Sequence, residues 1–376
     1  MHSDLVHLQD RPLRRLSRAF KAGRLAGTYM LWGPEGVGHW ATALTTTALL
    51  NCARPEPNEA LDGLPMPCGG CRNCHNIFAL NFEELLFGLP LGPHRNEDQA
   101  IDLANEILDM KRAEPFRMLS PSGSAMIPID TVRRIKSRLA RRHTSGLERV
   151  VIFYHMERML PASADALLKL IEEPPDRTTI ILTTVRPDSL PPTIQSRSQK
   201  IRLERSPRSA IEHALARAYK ASAARIELAA ALAEGSVGHA IEMIESGDGA
   251  DDSVRATSLL IFRSMLTEPV ASTMSHINQL VSRDDRFAAE SILSSWQSLT
   301  RDCAALAVIE DSSLIINTDL LAELQALAPA FRNRALASLL ASQIKNTLAD
   351  LRRNVHIPTA LMALALRVST AGSAAV

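Results

Sequence analysis

Four cysteines and one glycine loop carry the chemistry available to this sequence. Cys68, Cys71 and Cys74 form C-x-x-C-x-x-C, with Cys52 upstream. Four thiolates are what a tetrahedral structural zinc needs, and two-residue gaps let neighbouring sulfurs converge on one ion. The glycines of "CGGC" permit a tight turn in which backbone N–H groups face sulfur. The segment "ARPEPNEALDGLPMP" (53–67) reads as a loop that can bring Cys52 to the others, and His75 could replace one cysteine. A closed set of four leaves no position for water, so the expected role is structural. Such a metal contributes on the order of 10 kcal/mol to local folding. The competing reading is a set of free or redox thiols. Cys303 lies in an apolar helical stretch and reads as core.

The second feature is "GPEGVGHW", residues 33–40. A phosphate-binding loop, G-x-x-x-x-G-K-[ST], needs a backbone cradle, a lysine for the β/γ-phosphates and a hydroxyl for Mg²⁺. Gly33, Gly36 and Gly38 could supply the cradle. His39 stands in the lysine position and Trp40 in the hydroxyl position. Imidazole is shorter than lysine and usually neutral at pH 7, and indole cannot ligate magnesium. A metal-holding acid should also end the later strand "VVIFYH", but Tyr154, His155 and Met156 stand there and the first acid is Glu157. Cradle residues without cation or metal ligands predict no cofactor, and ATP neither hydrolysed nor firmly bound.

These residues need elements to hold them. "GTYMLW" (27–32) is a strand, the glycine loop follows, and "HWATALTTTALLNC" (39–52) is helix-compatible, which is the context a phosphate loop requires. "ERVVIFYH" (148–155) and "TTIILTTV" (178–185) are continuous apolar strands, and "QKIRL" (199–203) is a shorter one. In "SADALLKLIEE" (163–173), Ala164, Leu167, Leu168 and Ile171 share one helical face. Pro174 and Pro175 stop that helix. Strands alternating with helices predict a parallel sheet with helices on its faces. After Pro207 the strands cease. "SGDGADDS" (246–253) reads as a linker, and 255–368 reads as helical, with breaks near Pro269, "DSS" (311–313), Pro329 and Pro358.

The chain has 376 residues, enough for more than one domain, and is 46% hydrophobic and 22% charged, so it can build cores. Its formal net charge of +1 argues against strong, solitary nucleic-acid binding. The N-terminus has no apolar stretch of signal-peptide length, and no run of eighteen apolar residues predicts a membrane span. Clustered cysteines fit a reducing cytoplasm.

These pieces, in this order, resemble the bacterial clamp-loader family of AAA+ ATPase-fold subunits. The resemblance rests on "ADALLKLIEEPP" (164–175), on "LPPTIQSRSQKIRL" (190–203), where the family usually carries Thr-Ile-x-Ser-Arg-Cys, on the four-cysteine insert and on "MIPIDTVRRIKSRL" (126–139). It covers about residues 8–245; beyond that only helix content and "RRNVHI" (352–357) support it. It implies an α/β P-loop NTPase-like core over 1–204 with a zinc insert at about 52–77. It also implies a small helical lid over 205–248 and an all-α collar over 255–376. Because lysine, hydroxyl and acid are all missing, the similarity is to a non-catalytic member of the loader. Such a member implies tau/gamma ATPase and delta subunits as partners, with the sliding clamp and primer-template DNA reached through the complex. It also implies that Arg197, in Ser196-Arg197-Ser198, acts in trans as an arginine finger in a neighbour's ATP site. The plainer reading of Arg197 is a surface residue capping a turn. His239, in "GSVGHAI", stands where active relatives often have arginine, and Thr184 takes the polar strand-end place that senses γ-phosphate.

Two other readings stay open: an ATPase with an unorthodox loop, using a cationic His39 and Glu157 as metal ligand, and a solitary zinc-bearing nucleic-acid binder. In "DTVRRIKSRLARR" (130–142), Val132, Ile135 and Leu139 share one side, six cations surround the rest and Asp130 can cap the helix. That face is either solvated or turned to a DNA channel. Glu172 and Glu173 diverge by about 100° on a helix and read as solvated charges.

Overall fold

The computed structural model describes residues 7–119, 125–245, 247–281, 286–308, 315–332, 334–352 and 355–373. The chain divides into two units, residues 1–226 with 233–242, and residues 227–232 with 243–376.

The first unit begins with α1 (Asp10–Lys21), β1 (Thr28–Trp32), the glycine loop and α2 (His39–Asn51). A short hairpin of β2 (Glu56–Asn58) and β3 (Leu64–Met66) follows, then α3 (Arg72–Phe78), β4 (Leu85–Gly88) and α4 (Glu97–Ala113). Next come α5 (Ile129–Leu139), β5 (Arg149–Phe153), α6 (Pro161–Glu172), β6 (Thr178–Thr184), α7 (Pro192–Arg197) and β7 (Gln199–Arg202). After the last strand come α8 (Arg208–Ala218), in the first unit, and α9 (Ala223–Leu232) and α10 (Val237–Glu245), each divided between the two units.

The main sheet has five strands in the order β4-β5-β6-β1-β7, all parallel. Alternation along each strand sends side chains to two cores. Tyr29, Leu31, Val150, Ile152 and Ile181 face one core, shared with Leu16 of α1 and Trp40, Ala43, Leu44 and Ala48 of α2. Met30, Val151, Phe153, Ile180 and Leu182 face the other, with Val132, Ile135 and Leu139 of α5 and Ala164, Leu167, Leu170 and Ile171 of α6. The inner face of α6 therefore uses Leu170, while Leu168 of the expected stripe is only half-buried.

Adjacent strands β1 and β6 send their connections in opposite directions, one toward the β4 edge and one across to β7. Ligands of open α/β sheets bind at the carboxyl ends of strands at such a switch point. The glycine loop leaves β1 at that place.

Three expectations need correction. The 53–67 segment is not plain loop, since it forms the β2–β3 hairpin. Asp130 does not cap α5: the cap position is Pro128, and Asp130 pairs with Arg133 in the first turn. The segment read as a linker carries the start of a helix, α11 (Gly247–Thr267).

The second unit contains α11, α12 (Val270–Leu280), α13 (Arg286–Val308), α14 (Leu321–Leu327), α15 (Arg334–Arg352) and α16 (Ile357–Ser373). Trp296, Phe262, Phe331, Leu340, Ile344 and Leu361 form its core, and Cys303 lies in it as the sequence implied. Inside it the buried Asp302 carboxylate accepts from Ile316 N and Asn317 N at 3.1 and 2.8 Å, which ties an irregular segment to α13. "DSS" (311–313) and part of "RRNVHI" lie outside the described residues.

Candidate functional site

The glycine loop has the backbone of a cradle. Gly36 and Gly38 adopt φ of +72° and +103°, the left-handed region that a side chain disfavours. The space above them is filled by the chain itself. A Cβ on Gly36 would meet Ser236 Oγ at 2.1 Å and Met118 Sδ at 2.9 Å, and one on Gly38 would meet Phe116 Cε1 at 2.9 Å. The loop is also bonded down: Gly238 N donates to Gly36 O at 2.8 Å, and Ser236 Oγ donates to Glu35 O at 3.1 Å. A cavity of about 10 Å³ remains beside Gly36, Gly38, His39, Lys111 and Phe116. That is room for about one water.

The side chains that replaced lysine and hydroxyl are core residues. Trp40 stacks on Phe87 at 5.2 Å and meets Tyr154 edge-on at 5.2 Å. His39 is buried; burial first, and then the nearby His155, lower its pKa from 6.5 to about 3, so it is neutral. A cation does reach the loop, from α4. Lys111 Nζ lies 4.8 Å from the Tyr154 ring centre and 5.7 Å from that of Trp40. It donates to Tyr154 Oη at 3.1 Å and to the carbonyl of Arg117. With the residue only 1% exposed, burial brings the amine down to about 7, against the pull of Glu114, Glu242 and Glu35.

At the strand ends, Glu157 is engaged. It accepts from Thr184 Oγ1 at 2.7 Å and pairs with His155 Nδ1 at 2.8 Å. Burial alone would raise its carboxyl, but these partners prevail and hold it at about 2. Thr184 Oγ1 also accepts from Arg186 N at 3.1 Å, so it serves the turn as well. Burial, and then the nearby Arg205, lower the His239 pKa below its ordinary value.

Lys111, Phe116, Met118 and Ser236 were not legible as site residues. A lysine beside Asp109 and Arg112 reads as solvent-facing, and a single aromatic after Pro115 has no partner in the sequence. The one available signal was negative: a glycine loop with no cation of its own leaves a space that something must fill.

The four cysteines do converge. The Sγ atoms of Cys52, Cys68, Cys71 and Cys74 all lie within 4.8 Å of one another. Tetrahedral zinc with Zn–S of about 2.3 Å sets sulfurs about 3.8 Å apart, and Cys52 and Cys68 Sγ are 3.5 Å apart. Backbone N–H groups of Cys68, Cys71 and Cys74 donate to the sulfurs of Cys52, Cys68 and Cys71 at 3.3, 3.4 and 3.5 Å. These donors favour thiolates, and the donor set fits a soft tetrahedral cation. His75 is exposed and stands outside the set.

Arg197 ends α7 on the surface. Its Nε forms an ion pair with Glu172 Oε1 at 2.7 Å, each side chain 41% exposed. Nη1 donates to Thr193 O at 3.3 Å. Glu172 is a half-exposed charge at the end of α6, as the sequence implied, and it is also paired. On α5, Arg133 pairs with Asp130, Arg134 with Glu97 and Arg138 with Glu83, and Val132, Ile135 and Leu139 are buried.

A glycine loop at the switch point of a parallel sheet, with helices on both faces, defines an α/β domain of the phosphate-loop type. The family model described as "DNA polymerase III, delta subunit" matches residues 8–207. The chain belongs to that family, among the clamp-loader proteins of DNA polymerase III. It is 28% identical to DNA polymerase III subunit tau of Escherichia coli K12, across 67% of this chain and 34% of that protein. It is 29% identical to subunit gamma/tau of Mycobacterium bovis, across 50% and 26%. With subunit delta' of Bacillus subtilis 168 the identity is 25%, across 56% and 52%. The chain thus spans between about a quarter and a half of the length of these relatives. No described helix is long and apolar enough to cross a membrane.

Proposed function

We propose that this chain is a delta-prime-type subunit of a DNA polymerase III clamp loader, working by contact rather than by its own ATP turnover. The observation that carries the proposal is the filled cradle. Phe116, Met118 and Ser236 pack against the loop glycines, and the Lys111 amine beside them already donates to Tyr154 Oη and the Arg117 carbonyl. An ATPase with an unorthodox loop would need a cationic His39 and a free Glu157. Burial of the first and pairing of the second speak against it. The net charge of +1 speaks against a solitary nucleic-acid binder.

In this reading residues 1–204 form the AAA+ core, 205–248 its lid and 255–376 a collar that joins the subunit to tau/gamma ATPase and delta partners. The assembly opens the sliding clamp and places it on primer-template DNA. Arg197 is the group offered to the neighbouring subunit. A guanidinium cannot lose its proton at physiological pH, and set against a γ-phosphate it stabilises charge in the transition state. Cys52, Cys68, Cys71 and Cys74 hold zinc, which supplies a local crosslink and no reaction step. Paired arginines on α5 favour a solvated face there over a DNA contact.

The test is reconstitution with the tau/gamma ATPase and delta subunits. Arg197→Ala should depress clamp-stimulated ATP hydrolysis while the complex still assembles. Unchanged hydrolysis would remove the trans-acting role.

A further inference from the structure

Arg197 is held in a particular way. Glu172 is the last residue of α6, and Pro174 and Pro175 prevent that helix from continuing. The sheet grips its last turn, since Thr28 Oγ1 of β1 donates to Ile171 O at 3.2 Å. On the other side, α7 is fixed by the buried Ile194, and Ser198 Oγ donates to Ile194 O at 2.8 Å. Two anchored helix ends thus bring a carboxylate and a guanidinium to 2.7 Å at Nε. The C-terminal end of α6 adds its own partial negative charge to that of Glu172. Nη1 donates to Thr193 O and Nε lies in the ion pair with Glu172, while Nη2 has neither kind of partner among the described residues.

We infer that Glu172 is a positioning residue: it fixes the guanidinium plane of Arg197 so that Nη2 is presented, already oriented, to a phosphate oxygen on a neighbouring subunit. This rests on the reading of Arg197 as acting in trans. Ordering a long side chain before contact lowers the entropy cost of the contact. Glu172 keeps its place at Nε throughout and does not compete for Nη2. Its carboxylate touches no nucleotide.

The experiment uses the reconstituted loader carrying Glu172→Gln, Glu172→Ala, Arg197→Ala or Glu172→Gln with Arg197→Ala. Glutamine keeps the shape and removes the charge. Clamp-stimulated hydrolysis should show kcat lowered about three- to fivefold in Glu172→Gln and Glu172→Ala, the range of a half-exposed ion pair. KM for ATP and the chain's melting temperature should stay unchanged. In the Arg197→Ala background, Glu172→Gln should have no further effect. If Glu172→Gln matches wild type in kcat while Arg197→Ala collapses, the positioning role is overturned and the trans-acting arginine survives. A fall in kcat that appears only together with a lowered melting temperature overturns it as well. If Arg197→Ala itself matches wild type, both readings fall.

Discussion

Two cations of the first unit have opposite fates. Lys111 reaches the glycine loop and is enclosed there, 1% exposed, by Tyr154, Trp40 and Phe116. Arg197 sits at the end of α7 with two-fifths of its side chain open to solvent. Residue type matches place. An amine can shed its proton, and burial brings Lys111 down to about 7. A guanidinium cannot, so an arginine stays charged wherever it stands and can be kept for a partner. The difference teaches that this chain encloses the cation beside its glycine loop and leaves the one on α7 within reach of solvent.

The largest effect is expected at the cysteines, which belong to neither place. Cys74→Ser, or a chelator on wild type, should remove one bound zinc per chain and cost on the order of 10 kcal/mol of local folding. Proteolysis should then open residues 52–77 while the sheet persists. Retention of metal by the variant would break the assignment.

The outward half is next. Arg197→Ala should lower hydrolysis at the neighbouring site by on the order of 10³-fold, as for other arginine fingers. Steady-state kinetics of the reconstituted loader measure it.

The filled cradle makes a sharper demand. Restoring sequence identity with His39→Lys and Trp40→Ser should not restore ATP affinity, because Phe116 and Met118 still cover the loop. Adding Phe116→Ala should open it, at about 3–5 kcal/mol of stability. Calorimetric binding by the first pair alone would erase the contrast.

Acid should weaken the inward region. His39 protonates near 6.5 when unfolded and near 3 when folded. Between those values the unfolded chain binds more protons, so the stability present above pH 6.5 falls as pH drops. The slope from this group is about 1.4 kcal/mol per pH unit. Denaturant titrations between pH 7.5 and 5.5 should show it in wild type and not in His39→Gln. The smallest effect belongs to an outward pair with no partner role: Arg133→Ala, exposed with Asp130, should shift stability by less than about 1 kcal/mol.

Much of the core was legible because its signals are local. β1, β5, β6 and β7 are short apolar runs with clear ends, and the cysteine spacing specifies convergence without help from distant residues. β4 was missed because four residues, "LLFG", closed by Gly88 and followed by Pro90, are too few to show a period. The β2–β3 hairpin was missed because Pro57 and Pro65 sit within it. The linker reading of 246–253 followed composition, yet α11 begins at Gly247. In the site, Gly36, Gly38, His39 and Trp40 announced a glycine loop between a strand and a helix. What occupies the loop was hidden, because Lys111, Phe116 and Ser236 come from segments whose approach only the fold determines.

The most direct measurement is titration of magnesium-bound ATP into the purified full chain, with released phosphate assayed in the same samples. No saturable binding is expected below about 1 mM, a free energy weaker than about −4 kcal/mol, and no turnover. Phosphate release by the lone chain that disappears when His39 is replaced would contradict it.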